Sequence, residues 1–192
     1  MEYLRKTQND NQALCVLDLG CGYGRDAAYL SQSLGYEICG IDASSEAIGI
    51  AQRLAGGTAG VAFRCCDFTQ LGEASYDVIF MSNIYHFFNS EERNMLRHII
   101  VEHLNSGGLL FLSTLAIGDP QDYGKGTPVT GDPESFVDRL YLHFSSRDEL
   151  IEEFSFISVQ ELYELEYEET HSNGEVHHHI SWLLIGELTE IG

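Results

Sequence analysis

Asp18, Gly20, Gly22 and Gly24 lie close together in Val16-Leu17-Asp18-Leu19-Gly20-Cys21-Gly22-Tyr23-Gly24, and their types and spacing could hold a ligand against bare backbone. Glycine puts no Cβ between a ligand and the main chain, and it reaches the left-handed angles that a tight turn demands. A carboxylate at the mouth of such a turn attracts a cation and repels a pyrophosphate. The spacing is Gly-x-Gly-x-Gly, whereas dinucleotide-binding turns use Gly-x-Gly-x-x-Gly. A second carboxylate, Asp42, ends Gly40-Ile41-Asp42 about one strand–helix–strand unit later. There it could accept both hydroxyls of a ribose.

Two other groups of residues could do chemistry. Tyr85 and His86 follow the apolar run Tyr76–Met81 and could orient or deprotonate a substrate, since imidazole titrates near neutrality. His177 and His179 fall on one face of a strand-like segment, where Glu164, Glu166 or Glu168 could join them around a metal. An exposed polar hairpin edge explains the same pattern without an ion, so no metal is assigned. His143, near the end of a long connection, is a further polar candidate. The five cysteines are odd in number and form no Cys-x-x-Cys pair, which points to reduced thiols in an apolar core.

These residues need elements to position them. Apolar runs predict strands near Cys15–Asp18, Tyr36–Ile41, Gly60–Cys65, Tyr76–Met81 and Gly108–Thr114. Helices are predicted near Arg25–Ser33, Ser45–Leu54 and Glu91–Leu104. Strands alternating with helices imply right-handed crossovers and a parallel sheet covered on both faces. Ser145 or Ser146 caps a helix running to Phe154, with Asp148 and Glu149 in its first turn. Val159–Tyr167 and Val176–Gly186 alternate as strands, and Ser172-Asn173-Gly174 between them predicts a tight antiparallel hairpin. Ile117–Phe144, rich in Gly, Pro, Asp and Tyr, leaves the fifth strand at the carboxyl edge of the sheet and is expected to form a substrate lid.

Length and charge narrow the classes. At 192 residues and 44% hydrophobic content, residues 1–192 read as one domain. No run approaches the ~18 apolar residues of a membrane helix, and Met1–Asp10 lacks the apolar stretch of a signal peptide. A cytoplasmic location is therefore expected. The net charge of −20 repels nucleic acid and anionic membranes, which are excluded as partners.

Taken in order, the segments from Leu14 to Phe111 resemble class I S-adenosylmethionine-dependent methyltransferases. The resemblance implies an α/β fold: a Rossmann-like, mostly parallel seven-stranded sheet with helices on both faces and a C-terminal antiparallel hairpin. It implies S-adenosyl-L-methionine as cofactor, with Asp18, Gly20, Cys21, Gly22 and Gly24 along its methionine end. Asp42, with Ala43 beside it, would hold the ribose, and Asp67 and Phe68 would meet the adenine. The fourth strand, ending at Ser82, would pass beneath the sulfonium. Gly24-Arg25-Asp26 and the ending Glu169–Gly174 are similar to the tellurite-resistance subfamily, implicated in methylating small molecules or chalcogen oxyanions. The reading is an enzyme that moves a methyl group to a small-molecule acceptor. A non-catalytic S-adenosylmethionine-binding or sensor protein is the alternative; the glycine spacing and Asp18 argue against an NAD-dependent oxidoreductase. About a dozen residues precede the first strand, few to cover the cofactor, so the second subunit of a homodimer could supply that cover.

Overall fold

Five short segments rich in Val, Ile and Leu form parallel strands: β1 (Cys15–Leu19), β2 (Glu37–Asp42), β3 (Val61–Cys65), β4 (Tyr76–Ser82) and β5 (Leu104–Leu115). The helices α1 (Arg25–Leu34), α2 (Ser45–Ala55) and α3 (Ser90–His103) lie between them. The computed structural model describes residues 14–55, 57–170 and 174–189. Further on come three short strands, β6 (Thr127–Pro128), β7 (Ser135–Val137) and β8 (Tyr141–His143), then helix α4 (Arg147–Glu153) and the long strands β9 (Ile157–Thr170) and β10 (Val176–Leu188).

The main sheet has seven strands in the order β3-β2-β1-β4-β5-β10-β9, with β10 antiparallel to both neighbours. Successive side chains leave a strand on opposite faces, so both faces of the central strands must be apolar to be covered. Leu17, Ile79 and Leu110 face Leu96 and Ile100 of α3 and Leu150 of α4. Val16, Val78 and Leu109 face Ala27 and Leu30 of α1 on the other side. From β1 the chain winds outward through β2 to β3, then returns to place β4 and β5 on the opposite flank. That reversal leaves a crevice at the carboxyl ends of β1 and β4, where open α/β sheets bind ligands.

Helix starts follow the capping chemistry in the sequence. Asn89 accepts from the Glu91 and Glu92 amides at the head of α3, and Glu92 reaches back to the Asn89 amide. Ser146, not Ser145, caps α4, in a reciprocal pair with Glu149. The predicted strand at Gly108 begins earlier, at Leu104, because Leu104 already pairs with Tyr76 before a ladder irregularity. The predicted hairpin is present as β9 and β10, while Ser172 and Asn173 of its turn lie outside the described residues.

The segment Ile117–Phe144, expected as a lid, has more internal structure than its composition suggested. It is a folded cap, with β6, β7 and β8 in a small antiparallel sheet. Tyr123, Phe136 and Phe144 stack edge to face with ring centroids 5.3–6.1 Å apart. The buried Arg93 of α3 clamps the cap through Asp132 at 3.0 Å. Aromatic side chains with polar partners gave this segment its own small core, which its turn-rich composition concealed.

Candidate active site

The turn after β1 is held by its own amides. Gly20 and Cys21 both donate to the Ile41 carbonyl at 2.9 Å, and Gly24 donates to the Cys21 carbonyl at 2.9 Å. Gly22 donates to Asp42 Oδ2 at 3.0 Å, tying the turn to the end of β2. Gly22 and Gly24 both have positive φ, 51° and 75°. A Cβ at Gly24 would lie 2.5 Å from Phe63 Cζ, so packing against β3 requires glycine there. A Cβ at Gly22 would meet nothing within 4 Å, which leaves open space above its backbone.

Asp18 ends this floor at 2% exposure, and its Oδ2 has no hydrogen-bond partner among the described residues. Burial, then the Asp26 carboxylate, push its pKa up to about 7 against the pull of the Ala27 amide. A buried carboxylate with a spare acceptor oxygen is a site for a cation. It faces a cavity of about 510 Å³, within the range of small-molecule sites. Ser82, Asn83 and His86 wall the cavity after β4, Leu140 and Leu142 come from the cap, and Tyr167, Glu169, His177 and His179 come from the hairpin. Asn83 adopts positive φ (54°) and exchanges hydrogen bonds with Ser113 on β5, so its backbone turns sharply at the cavity wall.

Residues 16–108 match the model of the methyltransferase domain family. The structure is similar to a S-adenosylmethionine-dependent methyltransferase from Methanosarcina mazei, at a TM-score of 0.77 and 20% identity, covering 98% of each chain. It is also similar to TehB from Haemophilus influenzae, at 0.74 and 21% identity, covering 98% of this chain and 60% of that one. The segment 16–108, just under half of the chain, is thus similar to a methyltransferase domain, and the fold around it is shared with these structures. The N-methyltransferase NodS from Bradyrhizobium japonicum, solved with S-adenosylhomocysteine, gives a TM-score of 0.65 at 13% identity over 93% of this chain and 80% of that one. No curated protein sequence gives a significant match.

The residues expected along the cofactor separate into two sets. Asp18, Gly20, Cys21, Gly22 and Ser82 line the cavity together, and a buried carboxylate with an unpartnered oxygen is suited in charge to the ammonium end of a methionine moiety. Burial, then Asp18 and Asp42, push the Cys21 thiol up to about 12, so it is an uncharged wall and no nucleophile. Gly24 lies behind the turn. Asp42 uses both oxygens on backbone, Gly22 through Oδ2 and Ser44 through Oδ1 at 2.8 Å. Ala43 is exposed beside it. Asp67 caps a short 3-10 turn through the Thr69 amide at 2.9 Å. Phe68 is largely buried, packed edge-on against Phe88 at the margin of the core.

The expected catalytic pair also divides. Tyr85 is fully buried away from the cavity, donating to Glu153 Oε2 at 2.6 Å and accepting from Arg97 at 2.7 Å. It belongs to the fold. Tyr85→Phe is therefore expected to lower stability by about 1–3 kcal/mol in chemical denaturation and to leave S-adenosylhomocysteine affinity within about twofold. His86 does reach the cavity, with Nδ1 accepting from the Leu115 amide at 3.4 Å. Burial, then His143 and His179, lower its pKa to about 3, so it stays neutral, with its hydrogen on Nε2.

The hairpin supplied residues that the sequence reading placed differently. His177 pairs across the ladder with Glu169, and His179 with Tyr167; all four share the cavity face. Glu164, Glu166 and Glu168 stand opposite Trp182, Ile180 and His178 on the other face, so they do not join the two histidines. Asp119, Asp122 and His179 place one donor atom each within 4.8 Å of one another, and only the i, i+2 histidine spacing hinted at this group. His143 is wholly buried between Ser135 and Glu149 at 2.9 and 3.0 Å, beneath the cap.

Proposed function

We propose that the chain transfers the methyl group of S-adenosylmethionine to a small-molecule acceptor. The observation that carries this reading is Asp18: a carboxylate buried at the glycine turn, lining the cavity, with one oxygen that has no hydrogen-bond partner among the described residues. Such a group is costly in an empty fold and is offset by a cationic ligand. The cofactor supplies a methyl group on a positively charged sulfur, an electrophile that needs little beyond in-line positioning. Asp18 would hold the ammonium of its methionine end, Gly22 would let that end lie on the backbone, and Ser82 and Asn83 would sit near the reacting centre. Asp42 would take the ribose on its remaining lone pairs while it holds Gly22. The cap, through Leu140 and Leu142, would exclude water and shape the acceptor side. The NodS complex with S-adenosylhomocysteine supports the same cofactor here.

Calorimetry with S-adenosylmethionine, S-adenosylhomocysteine and NAD tests the reading. The first two are expected to bind at one site per chain and NAD is not. Binding of NAD alone would overturn it. Release of S-adenosylhomocysteine in the presence of acceptors would distinguish an enzyme from a sensor.

A further inference from the structure

We propose that Asp119 and His179 form the proton-accepting pair of this cavity, and that the acceptor is a small amine arriving as its ammonium. The proposal rests on the methyl-transfer reading and deepens it. Asp119, 2% exposed, accepts from the Gln121 and Asp122 amides at 3.0 and 2.8 Å through Oδ1. Through Oδ2 it accepts from the Ile180 amide at 2.9 Å and from His179 Nδ1 at 3.1 Å. A carboxylate offers about four acceptor positions, and here all are taken by hydrogen-bond donors. An ionised carboxylate cannot donate, so Nδ1 of neutral His179 carries the hydrogen and Nε2 carries the lone pair. A buried carboxylate in that position fixes the tautomer and stabilises the imidazolium when a proton arrives. Glu169 Oε2 lies 4.0 Å from Nε2, so the added proton would sit between two carboxylates. His179 and Asp18 line the same cavity.

The walls select the acceptor. Among the described residues, Asp18, Asp26, Asp122 and Glu169 face the cavity against one guanidinium, Arg25. Lys125 pairs with Asp122 at 3.7 Å and still leaves an excess of negative charge. Tyr23, Phe87 and Tyr167 add aromatic surface. Carboxylates with aromatic faces draw in an ammonium and repel an oxyanion. An ammonium has no free electron pair until it loses a proton, and His179 Nε2 takes that proton. The freed pair forms the new C–N bond as the donor's C–S bond breaks, with the bonding pair staying on sulfur. The imidazolium then passes its proton to water, so one proton is released per methyl group moved. The other titratable groups facing His179 are His177 beside it on β10, Tyr167 on β9, Asp122 of the cap and His86 after β4.

The test uses the full chain, S-adenosylmethionine and a panel of small primary amines, small thiols and tellurite, with S-adenosylhomocysteine formation as the activity readout. The same amines are titrated calorimetrically into the protein loaded with S-adenosylhomocysteine. Turnover is expected with amines and not with tellurite. His179→Gln should lower kcat at about pH 7 by ~100-fold or more and leave S-adenosylhomocysteine affinity within about twofold. That deficit should shrink to below about tenfold near pH 10, where the free amine needs no base. Glu169→Gln should weaken amine binding in the calorimeter severalfold. Asp119→Asn removes the charge facing the imidazolium and should move the acidic limb of the pH–rate profile to lower pH. Because Asp119 also holds three backbone amides, that variant is read beside His179→Gln. Methylation of thiols or tellurite without amines would overturn the proposal. So would a loaded protein that neither binds nor methylates an amine, or a His179→Gln deficit equal at both pH values. Failure to bind S-adenosylhomocysteine at all would instead overturn the methyl-transfer reading.

Discussion

Asp18→Asn is expected to make the ligand-free protein more stable and the cofactor complex weaker. The carboxylate's pKa is raised from 3.8 to about 7, which costs about 4 kcal/mol of stability once the group is fully ionised. The sign follows from linkage: stability from this group is fully present below the unfolded pKa and is lost as pH rises through about 7. Wild-type protein without ligand should therefore gain stability as pH falls from about 8 toward about 4 through this group, and the variant should not. Asparagine leaves a buried amide without a partner, which returns about 1–3 kcal/mol of the gain. A net gain of about 1 kcal/mol or more at pH 8 remains, measurable by chemical denaturation. Binding should move the other way, because the ammonium loses a charged acceptor worth about 1.5–3 kcal/mol, or roughly 10- to 150-fold in Kd. In wild type the affinity should also fall as pH drops below about 7, when Asp18 takes up a proton in competition with the ligand. Opposite signs for stability and affinity are the signature of a residue kept for its ligand.

Arg93→Ala is expected to be the most destabilising single change among those considered, at about 3–5 kcal/mol. Arg93 is 3% exposed and donates to Asp132 at 3.0 Å, to the Phe88 carbonyl at 3.0 Å and to Tyr141 at 3.1 Å. Glu149 and Glu153 lie within 3.9 Å of it. Removing the guanidinium strands a buried carboxylate at Asp132 and frees the cap from α3. The single tryptophan, Trp182, donates to the Ser145 carbonyl where the cap rejoins the chain, so its fluorescence should report the loosening. Burial alone would raise the Asp132 pKa, but hydrogen bonds from Tyr141 and Arg93 hold it below the usual carboxylate range. A depressed carboxylate stabilises above its unfolded pKa and loses that contribution as pH falls through the folded value. The cap should therefore hold through the window in which Asp18 gains its proton, and come apart only in stronger acid.

The main sheet was legible because its physics is local. Val16, Leu17 and Leu19 and the run Val78–Met81 give both faces apolar side chains, which a covered parallel strand needs, and Gly24 sits where only glycine clears Phe63. The glycine turn with Asp18 was legible for the same reason: its spacing is its mechanism. Tyr85 was misplaced because one residue of rotation along a turn decides between cavity and core, and composition does not encode that rotation. The cap's own small sheet was not foreseen within the expected lid, because its order depends on Arg93, remote in sequence from Asp132. The pairing of Asp119 with His179 was invisible for a similar reason. It forms only when β10 is laid beside β5, across 60 positions of sequence.

The most direct test of the central claim is a crystal structure grown with S-adenosylhomocysteine. The ligand's amino group is expected against the free Asp18 oxygen, with its amino-acid end over Gly22 and its sulfur toward Ser82 and Asn83. A ligand bound elsewhere, or bound here with Asp18 turned away from it, would contradict the account.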